Sequence, residues 1–149
     1  MKDSQRMQPV SRVAQSRERD AARRMGKDMH QVEQQQQQLD QLIAYREQYI
    51  ASYQTAGKAG FTVTQMREYQ IFISRLNDAI VQQRQQLIAC RQTSEKSSSS
   101  WRDSRSHSKK IDKVVEQRIC NEQREQRGRE QREQDDRRIM GPLQLDYSF

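Results

Sequence analysis

Apolar residues recur along the chain at alternating steps of three and four, which is the spacing of a coiled-coil helix. In the first half this seam runs over positions 25–53, with Gln36 and Arg46 as its polar members. In the second half a longer seam runs over positions 66–115, and its members become small and polar after Cys90. The pattern therefore predicts two long helices, each with one narrow apolar stripe.

The two seams are separated by a short segment that contains Gly57 and Gly60, two of the five glycines. Glycine destabilises a helix interior by about 1 kcal/mol, so a pair of glycines favours a loop. Thr62 and Gln65 have the spacing of a capping box, which indicates that a helix starts there. We predict helix one over about 10–54, a loop over 55–63, helix two over about 64–138 and a flexible tail over 139–149, within a single coiled-coil unit of residues 1–149.

A short loop between two heptad helices is typical of an antiparallel hairpin. Pairing the seams from the loop outward places Leu39 opposite Ile80 and Gln36 opposite Gln83. Two facing amides can hydrogen-bond and would fix the register of the pair. Helix one runs out near Val10, so the end of helix two should overhang. The expected fold is all-α, a long two-helix antiparallel coiled-coil hairpin with an overhanging C-terminal helix.

Composition agrees with this fold, because only 32% of the residues are hydrophobic and another 32% are charged. Such a chain cannot fill a globular core, whereas one helical seam needs few apolar residues. No apolar run approaches the ~18 residues of a membrane span, and the N-terminus lacks a signal-peptide pattern. We therefore expect a cytosolic protein in which Cys90 and Cys120 are free thiols.

No motif for catalysis, metal binding or cofactor binding is present, so no catalytic residue, metal or cofactor is expected. An excess of apolar residues lies beside the seam near the loop, with Leu42, Tyr45 and Tyr49 on helix one and Phe72 and Ala79 on helix two. Clustered Tyr and Phe are typical of protein interfaces, which favours a docking surface. A broader core or self-association is the alternative.

The net charge of +7 is unevenly distributed along the chain. Residues 1–27 hold eight Lys and Arg against three acidic residues, and residues 82–110 hold seven against two. In a hairpin these two stretches lie side by side at the end away from the loop. An acidic protein partner, nucleic acid and a solvated flank are the three interpretations. Aromatic residues that could stack on bases are nearly absent there, which disfavours nucleic acid.

Several segments, spaced in order over about residues 18–118, together resemble the flagellar FliJ family of the type III protein export apparatus. The segments that carry this resemblance are Asp20-Ala21-Ala22-Arg23 with Gly26, Leu42-Ile43-Ala44-Tyr45 with Tyr49, Tyr69-Gln70-Ile71-Phe72-Ile73 with Leu76, Ala79 and Ile80, and Trp101-Arg102. Single coiled-coil fragments carry little information, but their order across two helices makes the match fairly specific. The tail after Ile119 departs from the family pattern.

The resemblance implies a non-enzymatic antiparallel coiled coil, similar to the rotor shaft of rotary ATPases. Such proteins associate through their paired ends with the hexameric export ATPase (FliI) and its regulator (FliH). Their loop side reaches the cytoplasmic domain of the export gate (FlhA), and they also escort export chaperones. The implied location is cytoplasmic, peripheral to the inner-membrane export apparatus. The alternatives are the stalk protein of a virulence type III system, a chaperone escort without any coupling role, and a basic coiled coil that binds nucleic acid.

The surface that the family uses for the gate corresponds by resemblance to eight positions of this sequence. These are Gln38, Leu42, Tyr45, Tyr49, Phe72, Leu76, Ala79 and Gln83. Gln83 stands where a family member can carry His. The basic residues expected at the ATPase ring are Arg12, Arg17, Arg19, Arg23, Arg24, Arg102, Arg105, Lys109 and Lys110.

Overall fold

In a computed structural model the chain forms two helices, and the structure describes residues 2–143, with the side chains of 141–143 excepted. Helix α1 is Asp3–Gly57 with 55 residues, and helix α2 is Val63–Leu143 with 81 residues. No strand occurs within residues 2–143. The predicted all-α class with two long packed helices is confirmed.

Helix α1 begins at Asp3, rather than near residue 10 as predicted, and it includes Pro9. The reason lies in a contact from α2. The Ser4 backbone N–H donates to a Glu122 carboxylate oxygen at 2.9 Å, and the Ser4 hydroxyl donates to the other oxygen at 2.7 Å. The first turn of a helix leaves backbone N–H groups without intrahelical acceptors, so this carboxylate stabilises the earlier start.

The predicted end of helix two near residue 138 is also too early, because α2 continues to Leu143. The flexible tail predicted for 139–149 is thus helical over 139–143, and its remainder, 144–149, lies outside the described residues.

The loop between the helices is shorter than predicted and comprises 58–62. Gly60 has φ +89°, a left-handed conformation that glycine adopts without steric cost. The capping box is confirmed: the Gln65 backbone N–H donates to the Thr62 hydroxyl at 3.2 Å, and the Thr62 backbone N–H donates to Gln65 Oε1 at 3.0 Å. These contacts fix where α2 begins.

The chain divides into two compact units. The hairpin unit is Arg19–Arg102, in which α1 and α2 pack against each other and are joined by the loop. The terminal unit combines the described parts of Met1–Glu18 and Asp103–Phe149. The single unit predicted for the whole chain remains a prediction.

The core of the hairpin unit is formed by Leu39, Ile80 and Leu87, which are all buried. Val32, Leu42 and Ile43 pack against this cluster and are partly buried. Leu39 and Ile80 were predicted to face each other, and both lie in this cluster. The antiparallel pairing of the seams is therefore confirmed.

The predicted amide pair between Gln36 and Gln83 is wrong. The buried Gln83 amide donates instead to the Gln35 backbone carbonyl at 3.0 Å and to Gln35 Oε1 at 2.7 Å. Gln36 donates to Asp40 at 3.0 Å and accepts from the Arg91 guanidinium at 3.0 Å. A buried side-chain amide is most stable when both of its N–H groups have acceptors. Gln35 supplies two acceptors, its backbone carbonyl and its side-chain oxygen.

Farther from the loop, the seam of α1 turns away from its predicted position. Met29 is about half-exposed, whereas the neighbouring Asp28 is partly buried and accepts a hydrogen bond from the Ser97 hydroxyl. Small hydroxyl residues on α2 leave little apolar surface for a methionine to cover. A polar contact therefore replaces the apolar one.

In the terminal unit the buried residues are small, apart from Ile111. The buried residues are Ala14, which belongs to α1, and Ser108 and Ile111, which belong to α2. Ser4 lies opposite Glu122 close to the start of α1, and every residue from 129 to 140 is exposed. The end of α2 overhangs as predicted, but only beyond Glu122, because α1 begins at Asp3 and not near Val10. Over the described length, neither helix has a stretch that is apolar enough to span a membrane.

Candidate functional site

A stripe of partly exposed apolar residues runs along one side of the hairpin unit near the loop. We call it the tip stripe and define it as Leu42, Tyr45, Tyr49, Phe72 and Ala79. Tyr45 is 50% exposed, and the other four are partly buried. Tyr49 and Phe72 lie beside each other, with ring centroids 4.3 Å apart, so the two helices contribute to one surface. The sequence predicted this clustering from residues that flank the seam.

Aromatic contacts continue from the tip stripe to the loop. Tyr45 meets Phe72 edge to face at 6.1 Å, and Tyr49 stacks on Tyr69 at 5.6 Å. Tyr69 in turn stacks on Tyr53 at 3.5 Å, and Tyr53 stacks on Phe61 of the loop at 4.3 Å. We call the six rings the aromatic stack: Phe61, Tyr53, Tyr69, Tyr49, Phe72 and Tyr45.

Sequence reasoning missed the extent of this stack. Tyr53 and Tyr69 were assigned to the seam, and Phe61 was assigned to the loop. The available signal was the spacing of four that joins Tyr45, Tyr49 and Tyr53, because it places three rings along one side of a helix. Phe61 could not be included from spacing, since a loop residue has no helical face.

Three further positions that the family resemblance assigned to the gate surface have different environments. Gln38 is exposed, whereas Leu76 and Gln83 are each only 8% exposed. Leu76 lies on the seam, and the Gln83 amide is engaged with Gln35. A partner that binds without opening the hairpin can therefore touch Gln38 but has little access to the other two.

All nine basic residues predicted at the open end are exposed. Those in the hairpin unit are Arg19, Arg23, Arg24 and Arg102, and those in the terminal unit are Arg12, Arg17, Arg105, Lys109 and Lys110. A guanidinium nitrogen of Arg23 lies 3.8 Å from a carboxylate oxygen of Asp20, three residues earlier on the same helix. Both side chains are well exposed. An exposed ion pair of this kind contributes at most about 1 kcal/mol, so Arg23 remains available for a stronger acidic partner.

The terminal unit contains a carboxyl group, that of Glu122, whose pKa is lowered. The pKa of Glu122 is lowered, first by the hydrogen bond from the Ser4 backbone N–H and then by the Ser4 hydroxyl. The charge of Lys2 lowers it further, and desolvation opposes the shift. The ionised carboxylate is thus the form that holds the start of α1.

The described part of the chain contains no group of three or more His, Cys, Asp or Glu side chains that could hold a metal ion. Cys90 is a partly buried free thiol, and Cys120 is an exposed one. The described side chains form an aromatic stripe at the loop end of the hairpin unit and leave basic groups exposed elsewhere.

Two comparisons with known proteins found a match to this chain. A family described as "Flagellar FliJ protein" matches residues 2–143. The flagellar FliJ protein of Escherichia coli (strain K12) is 35% identical over 91 residues. That alignment covers 61% of this chain and 62% of the relative, so the chain spans somewhat less than two thirds of that protein. No solved structure is significantly similar to the chain. The match along nearly all of both helices shows that the chain belongs to the flagellar FliJ family.

Proposed function

We propose that this protein is a non-enzymatic component of the flagellar protein export apparatus. The observation that carries the proposal is the family match over residues 2–143. The surface features agree with a binding role, because the described side chains form an aromatic stripe and exposed basic groups. A protein of this kind acts by holding partners rather than by transforming a substrate.

The tip stripe is the proposed contact with the cytoplasmic domain of the export gate, FlhA. Tyr45 is half-exposed, and its apolar ring can be buried by a partner while its hydroxyl stays hydrated. Leu42 beside it packs against the core cluster, so the surface rests on buried side chains. Interfaces draw much of their binding free energy from a few aromatic residues of this type.

The exposed basic residues are the proposed contact with the export ATPase FliI and its regulator FliH. Their charge suits acidic surfaces, and attraction between opposite charges accelerates association. In this proposal the protein serves as a central stalk of the ATPase ring and also escorts export chaperones. It would work on the cytoplasmic side of the inner membrane, at the export apparatus.

Tyr45→Ala tests the gate contact, with Val81→Ala as the matched control. Both residues belong to the hairpin unit and are about equally exposed, at 50% and 51%, but Val81 lies outside the tip stripe. We expect Tyr45→Ala to weaken binding of the purified FlhA cytoplasmic domain at least about fivefold, which is typical of an interface aromatic. Swimming motility should fall in parallel, and Val81→Ala should leave both measurements unchanged. Equal effects of the two variants on binding would exclude the tip stripe as the contact.

Charge reversal tests the ATPase contact. The triple variant Arg19→Glu, Arg23→Glu and Arg24→Glu should lose co-purification with the export ATPase. The matched control changes Arg67, Arg75 and Arg84 to Glu, which alters the net charge equally at other exposed sites of the hairpin unit. Retention of the ATPase by the first variant would contradict the proposed contact. Loss of DNA binding without loss of the ATPase would instead favour a nucleic-acid partner.

A further inference from the structure

Part of the aromatic stack lies outside the tip stripe. Tyr53, Tyr69 and Phe61 are each partly buried and lie nearer the loop than Tyr49 does along the series of ring contacts. A coiled-coil seam needs only apolar side chains of suitable size, and leucine commonly fills such positions. Three rings in successive contact, with Tyr53 between Phe61 and Tyr69, go beyond that requirement.

Three contacts of the aromatic stack are nearly parallel. The planes of Tyr53 and Phe61 differ by 4°, those of Tyr53 and Tyr69 by 13°, and those of Tyr69 and Tyr49 by 10°. A flat ring between two other rings can rotate little about its side-chain bonds without losing contact on one side. Tyr49 and Phe72, which follow next, are tilted by 48° at a centroid distance of 4.3 Å. The orientation of one ring therefore constrains the next.

The end of α1 is adapted to this stack. A Cβ atom added to Gly57 would lie 3.0 Å from Cε2 and 3.5 Å from Cδ2 of Phe61. The first distance is closer than ordinary van der Waals contact between carbon atoms. The missing side chain of Gly57 thus leaves space for the Phe61 ring to lie flat on Tyr53. By contrast, a Cβ added to Gly26 would meet nothing within 4 Å.

We propose that Tyr53, Tyr69 and Phe61 are positioning residues for the tip stripe. They fix the orientation of Tyr49 and Phe72, and Phe72 in turn supports the half-exposed Tyr45 edge to face. The inference rests on the proposed gate contact, because the stripe is what they position. The loop at residues 58–62 thereby acts on affinity without itself touching the partner.

The first test compares two double variants of the full chain. Tyr53→Phe with Tyr69→Phe retains both rings, whereas Tyr53→Leu with Tyr69→Leu retains apolar volume and removes the stacking. We expect the Phe pair to bind the FlhA cytoplasmic domain as the wild type does. The Leu pair should bind about three- to tenfold more weakly, the size expected when aromatic contacts are lost.

The second test retains every aromatic residue and changes only the space beside Phe61. Gly57→Ala should displace Phe61 from Tyr53 and weaken binding about twofold to fivefold, since it disturbs one ring contact of the stack. Gly26→Ala is the matched control and should leave the affinity unchanged. Alanine favours helix relative to glycine, so helical content should not fall in either variant.

A readout within the free protein separates positioning from general stability. Ring proton resonances of Tyr45 and Phe72 report the neighbouring ring currents. They should move in the Leu pair and in Gly57→Ala, but not in the Phe pair or in Gly26→Ala. Unmoved resonances, or wild-type affinity of the Leu pair, would overturn the inference.

The design also separates this inference from the proposed gate contact. If Tyr45→Ala bound the gate domain normally, the gate contact would fail. The ring resonances would still decide whether Phe61, Tyr53 and Tyr69 orient the stripe. If Tyr45→Ala lost binding while the Leu pair retained it, the gate contact would stand and the positioning role would be excluded.

Discussion

Replacement of Ile80 by alanine tests whether the hairpin core is the main source of stability. Ile80 is 1% exposed and lies in the cluster with Leu39 and Leu87. Ile88, on the same helix, is 54% exposed and lies outside that cluster. The same substitution at the two positions therefore removes the same atoms from two different environments.

The expected magnitudes follow from burial. Ile80→Ala removes three carbon atoms, and at about 0.8 kcal/mol for each buried methylene the transfer loss is about 2.4 kcal/mol. A residual cavity raises the loss, and the better helix propensity of alanine returns about 0.4 kcal/mol. We expect the free energy of unfolding to fall by about 2–4 kcal/mol. Because Ile88 is about half-exposed, its truncation to alanine loses only about half of this transfer free energy. The free energy of unfolding should therefore fall by less than about 1 kcal/mol.

Urea denaturation followed by far-UV circular dichroism measures both variants against the wild type. The midpoint should fall clearly for Ile80→Ala and little for Ile88→Ala, while the slope with denaturant stays constant. Measurement at two protein concentrations would reveal any contribution from self-association. Equal losses for the two variants would show that the described packing of the hairpin unit is not what holds it together.

Three other outcomes follow from single features of the structure. Gly26→Ala should raise the free energy of unfolding by about 0.5–1 kcal/mol, because alanine favours the helix more than glycine does and the added methyl group has no atom within 4 Å to clash with. Thermal denaturation measures this change. Leu39→Cys with Ile80→Cys, in a background where both native cysteines are serine, should cross-link within one chain on oxidation; a product between chains on a denaturing gel would contradict the antiparallel hairpin. Because the pKa of Glu122 is lowered in the folded protein, its ionised carboxylate stabilises the folded protein fully above the carboxyl pKa of the unfolded chain. This stabilisation is lost as the pH falls through the pKa of Glu122 in the folded protein. Acid should therefore loosen the first turn of α1, as measured by amide hydrogen exchange, and Ser4→Ala should weaken this pH dependence.

Helical periodicity was sufficient to predict the core of the hairpin unit. Leu39, Ile80 and Leu87 all belong to the three-and-four seam, and all three are buried. This works because residues at that spacing must lie on one side of a helix, whatever their partner is. The tip stripe was predictable for the same reason, since Tyr45 and Phe72 flank the seam near the loop.

The features that the sequence could not predict depend on contacts between distant residues. Ser4 and Glu122 are 118 positions apart, so no local pattern could indicate that α1 starts at Asp3. The prediction that Gln36 is the partner of Gln83 is wrong for a different reason, which lies in the seam itself. Either Gln35 or Gln36 fits the steps of three and four between Val32 and Leu39, so the heptad pattern does not decide which of them faces Gln83.

The tip stripe also adjoins the buried apolar cluster of the hairpin unit. Leu42 belongs to the stripe and packs against the cluster that contains Leu39 and Ile80. Farther from the loop, the buried Ser97 bonds to Asp28 and contributes little apolar area to the seam. Opening of the hairpin should therefore require more free energy beneath the stripe than around Ser97. In the proposed gate contact, the partner would therefore bind the part of the hairpin unit that opens least readily.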